Sequence, residues 1–175
     1  MRQIVSIFFC LAMVLTGLLQ VSVLLAAGPS AQAAFERLKS LSGNWRGASS
    51  EDPNAKLEVS YKVTAGGSAV VETEFAGLPH EMVTVYHLDG EKLIMTHYCA
   101  VGNQPTLQFD SNRSSGNEIF FDFASGSNMD PATDLHIHSG RFHWTAEDTV
   151  DSEWVAYKDG RPDHTTKFSL QRVKD

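Results

Sequence analysis

The sequence predicts an all-β fold: an antiparallel up-and-down β-barrel of roughly ten strands behind one short helix. Three observations predict it. Runs of strand length in which apolar and polar residues alternate recur along the chain, Gly-containing turns separate them at close intervals, and no convincing helical period appears beyond residue 41. A meander of that many strands removes its exposed edges by closing on itself.

The elements follow in order. Ala33 to Leu41 has apolar residues at spacings of three, Phe35, Leu38 and Leu41, with Glu36, Arg37 and Lys39 between them, which predicts a short helix. Gly43-Asn44-Trp45 opens the first strand. Leu57, Val59, Tyr61 and Val63 alternate with Lys56, Glu58, Ser60 and Lys62, one face wet and the other dry. Gly66-Gly67 turns the chain into a strand from Ser68 to Phe75, where Glu72 and Glu74 read as a solvated face. Gly77-Leu78-Pro79 leads into Glu81 to Leu88. Asp89-Gly90 then predicts a type I′ hairpin onto Lys92 to Val101. Further strands are expected at Thr106 to Asp110, Glu118 to Ala124, Leu135 to His138, Arg141 to Thr145, Thr149 to Lys158 and Thr165 to Arg172. Ser115-Gly116-Asn117, Ser139-Gly140 and Asp159-Gly160 mark turns, and Ser125 to Thr133 reads as a loop at a barrel mouth.

The N-terminus predicts export. Arg2 precedes an uncharged apolar run from Ile4 to Ala27, followed by Gly28-Pro29 and the small-residue pattern Ala31-Gln32-Ala33. This divides the chain into a signal peptide at 1–33, with an uncleaved membrane anchor as the alternative, and a barrel domain at 34–175. The expected location is periplasmic or extracellular. With 14 basic and 21 acidic side chains, a formal charge of −7 and no run of Lys or Arg, the chain is not expected to bind nucleic acid. A membrane partner requires the apolar segment to stay uncleaved. Cys10 lies in that segment, so Cys99 would be left with no partner for an intramolecular disulfide.

Gly43-Asn44-Trp45 after a short helical turn resembles the Gly-x-Trp signature of the lipocalin and calycin superfamily. That resemblance implies a tryptophan plugging the closed end of the barrel, with a basic side chain of the last strand, here Arg172, lying over it. A likeness over most of the chain is to exported lipocalin-like barrels of the DUF1579-like family of unknown function. It is carried by Glu81 to Gly90, Thr96-His97-Tyr98-Cys99, Gly102-Asn103-Gln104-Pro105, Asn128-Met129, His136-x-His138 and Glu153-Trp154. The chain more distantly resembles haem-binding nitrobindin-type barrels, although no motif here matches their haem-binding histidine.

The chemistry-bearing candidates are histidines placed where a strand pattern expects Val or Leu. His97 alternates with Leu93, Met95, Cys99 and Val101, and His136 and His138 share a face of their strand. Together they predict a polar site inside the barrel. The candidate ligand-binding set is His97, Tyr98, Cys99, Asn103, Gln104, His136, His138 and Glu153, against apolar walls of Met95, Phe121, Phe123, Phe142 and Trp144. His97, His136 and His138 could complete a three-histidine zinc site, and inward-facing Leu135 and Ile137 would argue against it by turning both paired histidines outward. The expected function is binding of a small, partly apolar molecule. The alternative is a zinc- or haem-dependent enzyme with His97 as base or ligand and Glu153 as its orienting partner; its oligomeric state is open. No nucleophile elbow, phosphate cradle or Cys-x-x-Cys pattern is present.

Overall fold

A computed structural model describes residues 28–54 and 56–174; the apolar segment read as a leader or anchor falls at 1–27, outside the described residues. Ten antiparallel strands form one closed barrel: β1 (Gly43–Ser49), β2 (Leu57–Thr64), β3 (Ala69–Glu74), β4 (Met82–Asp89), β5 (Lys92–Tyr98), β6 (Gln104–Phe109), β7 (Glu118–Ser127), β8 (His136–Ala146), β9 (Thr149–Lys158) and β10 (Arg161–Arg172). Each strand pairs with its neighbours in sequence, and β1 pairs with β10, Trp45 opposite Arg172, to close the cylinder. Among the described residues no helix is long and apolar enough to cross a membrane.

Three local departures from the sequence reading have physical causes. His136 to His138 and Arg141 to Thr145, expected as separate strands, belong to one strand, β8, and Ser139-Gly140 is not a turn. Gly140 is glycine because the Trp154 ring lies over it: a Cβ there would sit 2.2 Å from the indole. The β4–β5 turn consists of Gly90 and Glu91, since Asp89 pairs with Lys92, and Gly90 has positive φ while Asp89 does not. The type I′ requirement for two positive φ angles is met instead at Asp159-Gly160, so β10 starts four residues earlier than expected.

Helix α1 (Ala31–Lys39) covers one end of the barrel, burying Ala34, Phe35 and Leu38 against the ends of β2, β4 and β5. Trp45 completes the plug. Its Nε1 donates to the Leu41 carbonyl at 2.7 Å, the Arg172 guanidinium lies 4.4 Å from its ring centroid, and that guanidinium donates in turn to the carbonyls of Ser40 and Ser42. The middle of the barrel is solid. Met95, Phe121, Phe142 and Trp144, expected to line a ligand site, pack there with Tyr86 and Leu107 as core.

The helix begins three residues before the cut expected after Ala33. Ser30 is its N-cap, with Oγ accepting from the Ala33 amide at 3.1 Å, and Gly28 lies so close to the β6–β7 connection that a Cβ would meet the Ser111 carbonyl. A chain beginning at Ala34 is therefore expected to be less stable than one beginning at Gly28, by about 1 kcal/mol for the lost cap and more for Ala31, which packs on the core. Urea denaturation of the two truncations checks this; equal midpoints would contradict it.

Candidate functional site

At the end of the barrel opposite α1 the interior opens into a cavity of about 290 Å³. It is nearly twice the volume of a cavity that holds benzene, so it suits a ligand of roughly ten to fifteen heavy atoms. Strand ends build it. β1 and β10 bring Ser49, Glu51, His164 and Thr166, β3 and β4 bring Glu74, Met82 and Thr84, and β5 brings His97 and Cys99. The apolar wall comes from Phe75, Ile137, Trp154, Ala156 and Phe168.

His97 faces inward as its alternation requires, 7% exposed, with Nδ1 2.8 Å from Thr84 Oγ1. Burial lowers its pKa to about 4, so the imidazole is neutral at physiological pH. Neither Tyr98 nor Glu153 partners it. Cys99 is half-buried and also lines the cavity.

His136 and His138 meet each other rather than His97. Their strand carries a bulge between Ile137 and Ser139, which pairs Ile137 with inward-facing Ala156 and His136 with Tyr157. Leu135 and Ile137 thus join the cavity wall. His136 remains buried, 2% exposed, and touches the cavity with its Nε2 3.1 Å from His138 Nδ1 and its Nδ1 2.8 Å from the Asp134 carbonyl. His138 is stacked between Tyr157, at 3.8 Å, and Phe123, at 5.1 Å. Desolvation, then the neighbouring His136, lower its pKa. Phe123 therefore belongs to this ring stack and not to the cavity wall. Among the described residues no group of three or more His, Cys, Asp or Glu side chains is arranged to hold a metal ion; His97 pairs with Thr84, and His136 with His138.

Four other expected ligand-binding residues lie off the cavity. Tyr98 points outward and is 50% exposed. Asn103 ties the β5–β6 loop to β8, its Nδ2 donating to the Leu135 carbonyl at 2.7 Å. Gln104 braces the same rim, accepting from Ser127 and Asn128 and donating to the Gly102 carbonyl. Glu153 lies on the outer face in an ion pair with Lys167 at 2.9 Å.

Two carboxyl groups occupy the interior instead. Glu72 and Glu74, read from the sequence as solvated, are 2% and 5% exposed. Tyr61 donates to Glu72 Oε1 at 2.7 Å and Tyr86 donates to its Oε2. Desolvation still raises the Glu72 pKa, and these two hydrogen bonds oppose the rise. Glu74 lines the cavity with no hydrogen bond or ion pair among the described residues; burial, then the nearby Glu72, hold its pKa well above the carboxylate range. The sequence does contain the signal. Paired residues of antiparallel strands share a face, so the pairing of inward Tyr61 with Glu72 and inward Val59 with Glu74 sends both carboxyls inside. Trp154 adds a buried Nε1 donor with no partner among the described residues.

Neither a protein-family model nor a curated protein matches the chain. Solved structures to which the chain is similar include the following two. Rv2717c from M. tuberculosis superposes with a TM-score of 0.52 at 16% identity, over 81% of this chain and 98% of that one. A protein of unknown function from the DUF3598 family of Nostoc punctiforme gives a TM-score of 0.43 at 14% identity over 78% of this chain, which spans about half, 48%, of that protein. The chain is a closed ten-strand antiparallel barrel with distant structural neighbours.

Proposed function

We propose that this protein is an exported, lipocalin-like carrier or sensor that binds one small, partly apolar molecule in the cavity at the open end of the barrel. The observation that carries the reading is the division of the interior: a solid aromatic core near α1, and beyond it about 290 Å³ of space with an apolar wall and a few polar atoms. His97, Glu74 and the Trp154 indole give the ligand its orientation. Export is supported by Arg2 and the uncharged run from Ile4 to Ala27.

The test is calorimetric titration of the purified protein with 2-phenylethanol, beside the variant Ala156→Phe. Ala156 is buried in the cavity wall, and a ring there fills the space a ligand needs. Saturable binding of one molecule, lost in Ala156→Phe, is expected. No saturable binding, or equal binding by the variant, overturns the reading. Stoichiometric zinc, or a haem absorption band in the protein as isolated, would replace it with the cofactor-dependent alternative.

A further inference from the structure

The polar equipment of the cavity specifies charge as well as size. Its lining carries two carboxyl groups, Glu74 within and Glu51 at the mouth, and neither lysine nor arginine. Behind Glu74 lies a second buried carboxyl, Glu72, bound by Tyr61 and Tyr86, so the nearest charge the wall can supply is negative. The other titratable groups facing this space among the described residues are His97 on β5, the Cys99 thiol just after it, His136 on β8 and His164 at the mouth. His97 is kept neutral by burial, and His164 is held by Asp163 and Glu51. A buried carboxyl with no partner is costly, and proteins keep one where something else completes it.

We propose that the ligand of this cavity is an amine, with Glu74 as its counter-charge and the Trp154 indole against its apolar body. The inference rests on the binding function proposed above. In the empty cavity burial raises the Glu74 pKa and so favours its protonated form. An alkylammonium entering beside it restores the ionised form, so the Glu74 proton leaves to solvent as the ligand binds. The aromatic wall suits the same ligand, because a cation near an indole face gains from the ring quadrupole. A carboxylate ligand would find neither lysine nor arginine in the described lining to neutralise it.

The experiment compares three probes of one shape and different charge, 2-phenylethylamine, 2-phenylethanol and 3-phenylpropionate, at pH 7 in buffers of different ionisation enthalpy. The amine is expected to bind at least about tenfold more tightly than the alcohol, the carboxylate most weakly, and proton release is expected with the amine alone. In Glu74→Gln, a replacement of the same shape, the preference should disappear, the amine and alcohol binding within about twofold of each other. Alcohol binding with no preference for the amine overturns the proposal and leaves the binding function standing. An amine preference that survives in Glu74→Gln overturns it too. If none of the three probes binds, both readings fall.

Discussion

Replacing Trp45 with alanine is expected to cost about 3–5 kcal/mol, the range for deleting a large buried aromatic. Trp45 is 1% exposed and joins three parts of the closed end at once. Its indole donates to Leu41 at the end of the helical segment, receives Arg172 of β10 on its face, and packs edge-on to Tyr61 of β2 at 6.4 Å. Arg172 spans the same junction through Asp148 and the carbonyls of Ser40 and Ser42, so the cavity left by alanine cannot close without moving helix and strand together. A drop in melting temperature of roughly 10 °C is expected for a chain of this size. Trp45→Phe keeps most of the volume and loses the indole donor, for about 1–2 kcal/mol. Urea denaturation of the three proteins measures both effects. A loss below about 1 kcal/mol in Trp45→Ala would contradict the plugged-end arrangement.

Glu74→Gln is expected to stabilise the empty protein at neutral pH. The sign follows from the raised pKa of Glu74. A carboxyl whose folded pKa lies above its ordinary 4.5 holds its proton in the folded state and releases it on unfolding, so folding loses stability as pH rises from 4.5 through the folded value. Glutamine fills the same place without that cost. The gain should be present at pH 7 and vanish as the pH approaches 4.5. His97 acts oppositely: its pKa of about 4, below the ordinary 6.5, removes stability as pH falls between those values. Both proteins contain His97, so the difference between their pH profiles isolates Glu74. A less stable Glu74→Gln at pH 7 would mean that the carboxylate has a stabilising partner.

The fold was legible because alternation is a backbone property. β2 and β5 present the faces their patterns predict, and Gly-Trp with Arg172 forms the predicted closed end. The candidate site was legible only in part, since alternation identifies a face without counting residues across turns and bulges. His97 and Cys99 fall where parity places them. At His136 and His138 one extra residue in β8 changes the pairing phase, so Ile137 faces the cavity and the two imidazoles join a ring stack with Phe123 and Tyr157. Glu72 and Glu74 were assigned by charge, because carboxylates are usually solvated. The register across the β2–β3 turn, set by the inward tyrosine opposite Glu72, overrides that expectation.

The most direct test of the whole account is methyl NMR during titration with 2-phenylethanol. The cavity wall carries methyls of Met82, Ile137 and Ala156, whereas Met95 and Leu107 lie in the solid core and Val155 on the outer face. Shifts that saturate together and concentrate at Met82, Ile137 and Ala156 are predicted. Shifts concentrated at Val155, or methyls that stay unmoved throughout the barrel, would contradict a ligand chamber at the open end.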